Sequence, residues 1–298
     1  MSKKRKAGKR KGQGRWKNYP VPNRTYKSTV FIMLFRDKKN LLELYNAVSG
    51  KQYTDPEKLT INTLENAIYM AMKNDLSFII DSRLSLYEHQ STYSPNLPLR
   101  MLMYLSDVYE EMTRKCNVYG REKVLIPPPQ FLIFYNGKDR QPDRQVLRLS
   151  DLYAVPAEET WLELRAVMVN VNVGHSPGLL EACQTLKEYS LYVDRVRRYA
   201  QELPIEEAVE RAIRECIDEG ILAEFLEKNR AEARKMSIYE YDQERHMRQE
   251  REQSYAKGLA EGKRSMAVNL ARSGMATEEI ARIAEADAEL VREWIQGL

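Results

Sequence analysis

Hydrophobic and polar positions change period several times along the chain, and each change predicts an element. Over residues 28–48, Phe31, Leu34, Phe35, Leu41, Leu42, Leu44, Tyr45 and Val48 recur at helical spacing, with a charged break at Arg36-Asp37-Lys38-Lys39-Asn40 and a stop at Gly50. After a turn at Asp55-Pro56, Leu59–Met72 predicts a short helix capped by Asn62 or Thr63, with Leu64, Ile68 and Met72 inward. Leu76–Ile80 and Arg83–Gln90 predict two strands joined by a tight turn at Asp81-Ser82. A loop over 91–98 then leads to a helix from Leu99 to about Lys115, with Leu102, Leu105, Val108, Tyr109 and Met112 as its buried stripe. Residues 124–137 predict a central strand, since Phe131, Ile133 and Tyr135 alternate with the equally apolar Leu132 and Phe134. Asn136-Gly137 is a turn signal. Val146–Leu149 and Leu162–Val173 predict further strands.

From Pro177 onward the pattern is helical. One helix is expected from Gly178-Leu179 to Ala200 and another from Ile205 to about Lys228. A charged, solvated connector follows to Lys263, interrupted by Gly258 and Gly262, and a small helix-turn-helix-like unit comes last. The expected organisation is a disordered basic arm over 1–25, an α/β domain over 26–200, a helical extension over 201–263 and a helical tail over 264–298. The acidic last helix, 285–293, suits a cap or a homo-oligomer contact better than a DNA reader, because its charge repels phosphate.

The two strands around Asp81-Ser82 carry the candidate chemistry. A two-residue loop pairs Ile80 with Arg83, Ile79 with Leu84, Ser77 with Leu86 and Asp75 with Glu88. Directly opposed residues have Cβ atoms about 4.5–5.5 Å apart. Two carboxylates that close require a cation between them or a proton on one. Gln90 projects from the same face, one pleat on, and Ser85, Tyr87 and His89 from the other. A three-residue loop would instead put Asp75 opposite His89. Polar residues at strand ends are often only solvated, but Glu88 and Gln90 continue an apolar face, where a charge needs a reason to be.

Charge is unevenly spread. Residues 1–36 hold twelve Lys and Arg and no Asp or Glu; the whole chain is +4, which leaves −8 for the rest. The arm, with Lys3, Lys4, Arg5 and Lys6 at its start, suits phosphate neutralisation, or is merely a solvated tail. No apolar run approaches the ~20 residues of a membrane helix, and no apolar segment follows the basic start. The three scattered cysteines form no zinc pattern and suit a reducing cytoplasm.

An acidic residue opening one strand and Glu-x-Gln closing the next resembles the PD-(D/E)XK nuclease core. The order of several segments narrows this to the recombination-promoting nuclease (Rpn), or PD-(D/E)XK family transposase, group. These segments are Thr29–Phe35, Thr63–Tyr69, Asn74-Asp75, Leu86–Ser91, Phe134–Gly137 and Thr185–Tyr189. The resemblance spans roughly residues 26–260. It implies an α/β fold with a restriction-endonuclease-like core, a mixed central sheet flanked by helices, and a C-terminal helical extension. It implies a DNA endonuclease using Mg²⁺ or Mn²⁺ in DNA recombination or mobile elements, with Asp75 and Glu88 as ligands and Gln90 as the third catalytic residue. Glu65 is a candidate further ligand, or a solvated residue of a first helical turn. Arg100 is a candidate phosphate contact, or a surface residue packed on the sheet. The group usually has an acidic residue before its Val-Phe pair, where this chain has Ser28-Thr29. The alternative is a non-catalytic DNA-binding or assembly protein that keeps the nuclease fold.

Overall fold

The chain folds as an α/β protein around a mixed six-stranded sheet, in a computed structural model that describes residues 29–61, 76–155 and 159–296. Two helices come first, α1 (Val30–Phe35) and α2 (Lys38–Ser49). Asp37, inside the charged break, caps α2 by accepting from the Lys39 and Asn40 amides, and Gly50 ends it at φ 69. Strand β1 (Thr60–Ile61) opens the segment that was expected to be helical. The remainder of that helix, Glu65 included, lies outside the described residues, as do the 1–25 arm and Asp75.

Strands β2 (Leu76–Ile80) and β3 (Arg83–Gln90) pair antiparallel with Ile80 opposite Arg83, Ile79 opposite Leu84 and Ser77 opposite Leu86, the two-residue-loop register. Asp81 and Ser82 both adopt positive φ, 48° and 58°. That is the backbone of a type I′ hairpin turn, whose twist matches the strands it joins. Ser82→Gly relieves a left-handed L-residue there, and should raise the unfolding midpoint by about 2 °C, from roughly 0.5–1 kcal/mol. A thermal melt showing no rise would place the cost of the turn elsewhere.

Helix α3 (Leu97–Thr113) carries the chain from β3 to β4 (Pro129–Tyr135), which lies parallel to β3. Its fully buried side is Leu97, Met101, Tyr104 and Val108, so the stripe is rotated from the expected one; Leu102, Leu105, Tyr109 and Met112 are only partly covered. The helix starts two residues earlier than expected, and Leu97 then anchors the i, i+4 row. Strand β5 (Arg144–Arg148) is an edge, paired antiparallel with β6 (Arg165–Asn170), and β6 lies parallel to β4. The strand order is β1-β2-β3-β4-β6-β5, with β4 central as its two apolar faces require. Asn136-Gly137 therefore does not close a hairpin between neighbours. Asn136 is buried and donates to the Tyr189 hydroxyl at 2.7 Å.

Two cores flank the sheet. One face packs α1, α2 and the later helices around Phe31, Phe35, Tyr45, Phe78, Tyr87 and Phe134. The other packs α3 around Leu84, Leu86, Ile133, Tyr135 and Met168. The helix expected over 178–200 is two, α4 (Pro177–Ala182) and α5 (Gln184–Tyr199). Glu43 of α2 makes the break: its carboxylate accepts from the Gln184 amide and the Thr185 hydroxyl, both at 2.6 Å, capping α5 from another helix. The helix expected over 205–228 is also two, α6 (Ile205–Asp218) and α7 (Ala223–Lys228), parted at Gly220 with φ 75°. Val209, Ile213, Leu226 and Ala233 belong to the same core as α1, α2 and α5, so no packing boundary falls at residue 200.

Helix α8 (Arg230–Arg272) runs 43 residues straight through Gly258 and Gly262, which were expected to interrupt it. Two glycines cost about 1 kcal/mol each against Ala, less than breaking a long hydrogen-bond ladder twice. Its end packs with α9 (Thr277–Ala284) and α10 (Ala288–Ile295) around Ala267, Ile280 and Val291. No helix among the described residues is long and apolar enough to cross a membrane.

Cys183 and Cys216 are buried and Cys116 is exposed. Burial pushes the Cys183 thiol up to about 12 and Cys216 up to about 11. Thiolate is the reactive form. One fast thiol is therefore expected with Ellman's reagent at mildly alkaline pH in the native protein, and all three after denaturation; three fast native thiols would contradict this packing.

Candidate functional site

The alternation along β3 sorts its side chains as the period of two demands. Tyr87 and His89 enter the core beneath α1 and α5. The His89 ring stacks on Phe31 at 4.8 Å, and its Nε2 lies 2.8 Å from the Tyr189 hydroxyl. Since that hydroxyl accepts from Asn136, its own proton is directed at His89 Nε2, which favours the Nδ1-protonated ring. Burial raises the Tyr189 phenol well above its ordinary value, so it stays a donor. His89 is thus built into the packing between sheet and helix.

Glu88 and Gln90 project from the opposite face, toward the first turns of α3. The Glu88 side chain is 3% exposed. Its Oε1 accepts from Gln90 Nε2 at 2.8 Å and from Arg100 Nη2 at 2.6 Å. Arg100 Nη1 also reaches Gln90 Oε1 at 3.4 Å, so one guanidinium bridges both residues. Tyr104, one turn on, accepts from Arg100 Nη2 at 3.0 Å and Nε at 3.3 Å. Leu97 and Met101 bury α3 against the sheet, and that packing fixes where Arg100 emerges. The Arg100 side chain is 23% exposed, so the group at the end of β3 is partly open to solvent.

Of the expected site residues, the structure brings together Glu88, Gln90 and Arg100. Asp75, Glu65, Lys3, Lys4, Arg5 and Lys6 lie outside the described residues. Among the described residues no three His, Cys, Asp or Glu side chains gather to hold a metal ion. Mg²⁺ takes near-octahedral oxygen coordination, often with one or two protein carboxylates and several waters. Glu88 fits as one such carboxylate: it is buried at a sheet end and already held beside a positive group. Thr29, of the Ser28-Thr29 pair just before Val30-Phe31, caps α1 by accepting from the Ile32 amide at 3.2 Å.

A second polar group at the same end of the sheet carried no local sequence signal. Asn172, just past β6, donates to the Gly137 carbonyl at 3.0 Å and accepts from Arg197 Nη1 at 3.1 Å. Arg197 in turn pairs with Glu244 of α8 at 2.6 Å. These residues come from four separate stretches, so no spacing rule links them. They tie the ends of β4 and β6 to α5 and α8.

No family model, curated protein or solved structure matches the chain.

Proposed function

We propose that this protein is a metal-dependent DNA endonuclease of PD-(D/E)XK type, hydrolysing phosphodiester bonds with Mg²⁺ or Mn²⁺ in DNA recombination or at mobile elements. The observation that carries the reading is a buried carboxylate, Glu88, and a partner amide, Gln90, side by side at the end of a strand whose hairpin has the two-residue register. Every described pair of that hairpin sums to the same number, and Asp75 is the residue that completes the sum with Glu88. The resemblance to the Rpn group supports the same assignment. A divalent cation bound there would polarise the phosphate and lower the pKa of an attacking water. Glu88 would hold the cation with Asp75, Gln90 would orient the phosphate or water, and Arg100 would hold the phosphate as a charge-assisted donor. Gln90 is neutral where many such enzymes carry Lys, and the guanidinium of Arg100 brings a positive charge to the same spot.

The Arg100–Glu88 pair also favours a second reading, in which the group is structural and the protein binds DNA or assembles without cutting. Nicking of supercoiled plasmid separates the two. Wild type in Mg²⁺ should nick and EDTA should stop it, while Asp75→Ala and Glu88→Ala should both be inactive. Plasmid binding without nicking, unchanged by either substitution, would leave the second reading standing.

A further inference from the structure

Two observations at Glu88 point in one direction. Its carboxylate is buried, and a buried carboxylate is costly unless a positive group compensates it. Among the described residues Arg100 compensates it, and the bond is made to Glu88 Oε1, an oxygen that a bound cation would use. A guanidinium and a divalent cation cannot share that position, because like charges at contact distance repel strongly in a poorly solvated site. Arg100 is also held by Tyr104 through two nitrogens, so leaving Glu88 does not cost it every partner. It stands in the first turns of α3, partly open to solvent, where an anion can reach it.

We infer that Arg100 is an exchangeable counter-ion: it occupies Glu88 until a divalent cation displaces it, and the displaced guanidinium then takes a DNA phosphate. The inference rests on the nuclease reading of Glu88. It makes cation and DNA binding mutually reinforcing, since each removes a competitor of the other, and such coupling is reciprocal. Arg100 acts here by exchanging one partner for another, and the exchange is read as binding, independently of any rate of cleavage.

The test uses the full-length protein, Ca²⁺ as the probe cation, and a fluorescein-labelled DNA duplex. Ca²⁺ affinity is measured by titration calorimetry and duplex affinity by anisotropy, with and without Ca²⁺. In wild type, Ca²⁺ should tighten duplex binding by about ten-fold, within the usual range for coupled sites. Arg100→Gln should bind Ca²⁺ about ten-fold more tightly than wild type, because the competitor is gone. It should also bind the duplex more weakly and lose the gain from Ca²⁺. Arg100→Lys keeps a cation beside Glu88 without the fork, so it should fold as wild type and show a smaller gain in Ca²⁺ affinity. Ca²⁺ affinity unchanged or weakened in both variants overturns the exchange while leaving the nuclease reading intact. Ca²⁺ binding that is absent in wild type, or identical in Glu88→Gln, overturns both.

Discussion

Glu88→Gln is expected to abolish Mg²⁺-dependent plasmid nicking, by at least about 100-fold, while the protein stays folded. Gln is close in size to Glu, and its amide oxygen can still accept from Gln90 Nε2 and Arg100 Nη2, which now meet at Oε1. What disappears is the negative charge, and a neutral amide holds a divalent cation far less well than a carboxylate. The stability change should be small for a buried position, about 1–2 kcal/mol, because Arg100 at 23% exposure can turn to solvent instead of being stranded. The contrast between a large activity loss and a small stability loss is what the reading requires. Equal nicking by Glu88→Gln and wild type, measured as supercoiled plasmid lost against time, would remove Glu88 from the chemistry.

The second large effect concerns Gly137. A Cβ on this residue would lie within 3.0 Å of both the Ser91 carbonyl oxygen and the Tyr135 hydroxyl. Neither can yield cheaply. Ser91 directly follows β3, and Asn136 donates its amide to the Gln90 carbonyl at 3.0 Å, locking the two strand ends together. The Tyr135 hydroxyl is engaged by the Asp139 carbonyl at 2.8 Å, and the ring is fully buried. Burial pushes this phenol up to about 12, so it remains a neutral donor and cannot escape the contact by ionising near neutral pH. Gly137→Ala should therefore cost about 3 kcal/mol or more in urea denaturation, at the upper end for a single methylene-sized intrusion. Gly178→Ala, where a Cβ meets open space inside α4, should lie within about 0.5 kcal/mol of wild type or be slightly stabilising. Similar losses at both glycines would mean the close approach at Gly137 is not what limits stability.

Legibility in the sequence followed the range of the interaction. The β2–β3 hairpin was readable because its alternation and its turn are contained in fifteen consecutive residues, Leu76–Gln90, and because a slip of one residue would have sent Leu84 and Leu86 to the wrong face. The central place of β4 followed from its two apolar faces. The break at Cys183 was not readable, since the group that makes it, Glu43, sits on another helix and far away in sequence. Asn136-Gly137 is a turn signal that cannot say which strand follows, since β5 does not neighbour β4. Here the Asn serves a buried bond to Tyr189 and the Gly a close approach of two strand ends. The glycines of α8 misled for the opposite reason: a local penalty was outweighed by a ladder running far beyond it. At the site, the sequence singles out Glu88, Gln90 and Arg100 one by one, but not their mutual bonding. Arg100 meets Glu88 only through the packing of α3 on the sheet, and the register of that helix is set by Leu97 and Met101 rather than by any charged residue.

The uninterrupted course of α8 also makes it a ruler. At 1.5 Å per residue its 43 residues measure about 64 Å end to end. Residues 245–262 are all exposed and account for about 27 Å of that length, between the body that contains Arg197 and the small unit around Val291. A helix fixes both distance and angular phase, because each residue added turns the far end by about 100°. Inserting or deleting one residue in that stretch would therefore rotate the terminal unit about the axis by more than a quarter turn while changing its reach by only about 1.5 Å.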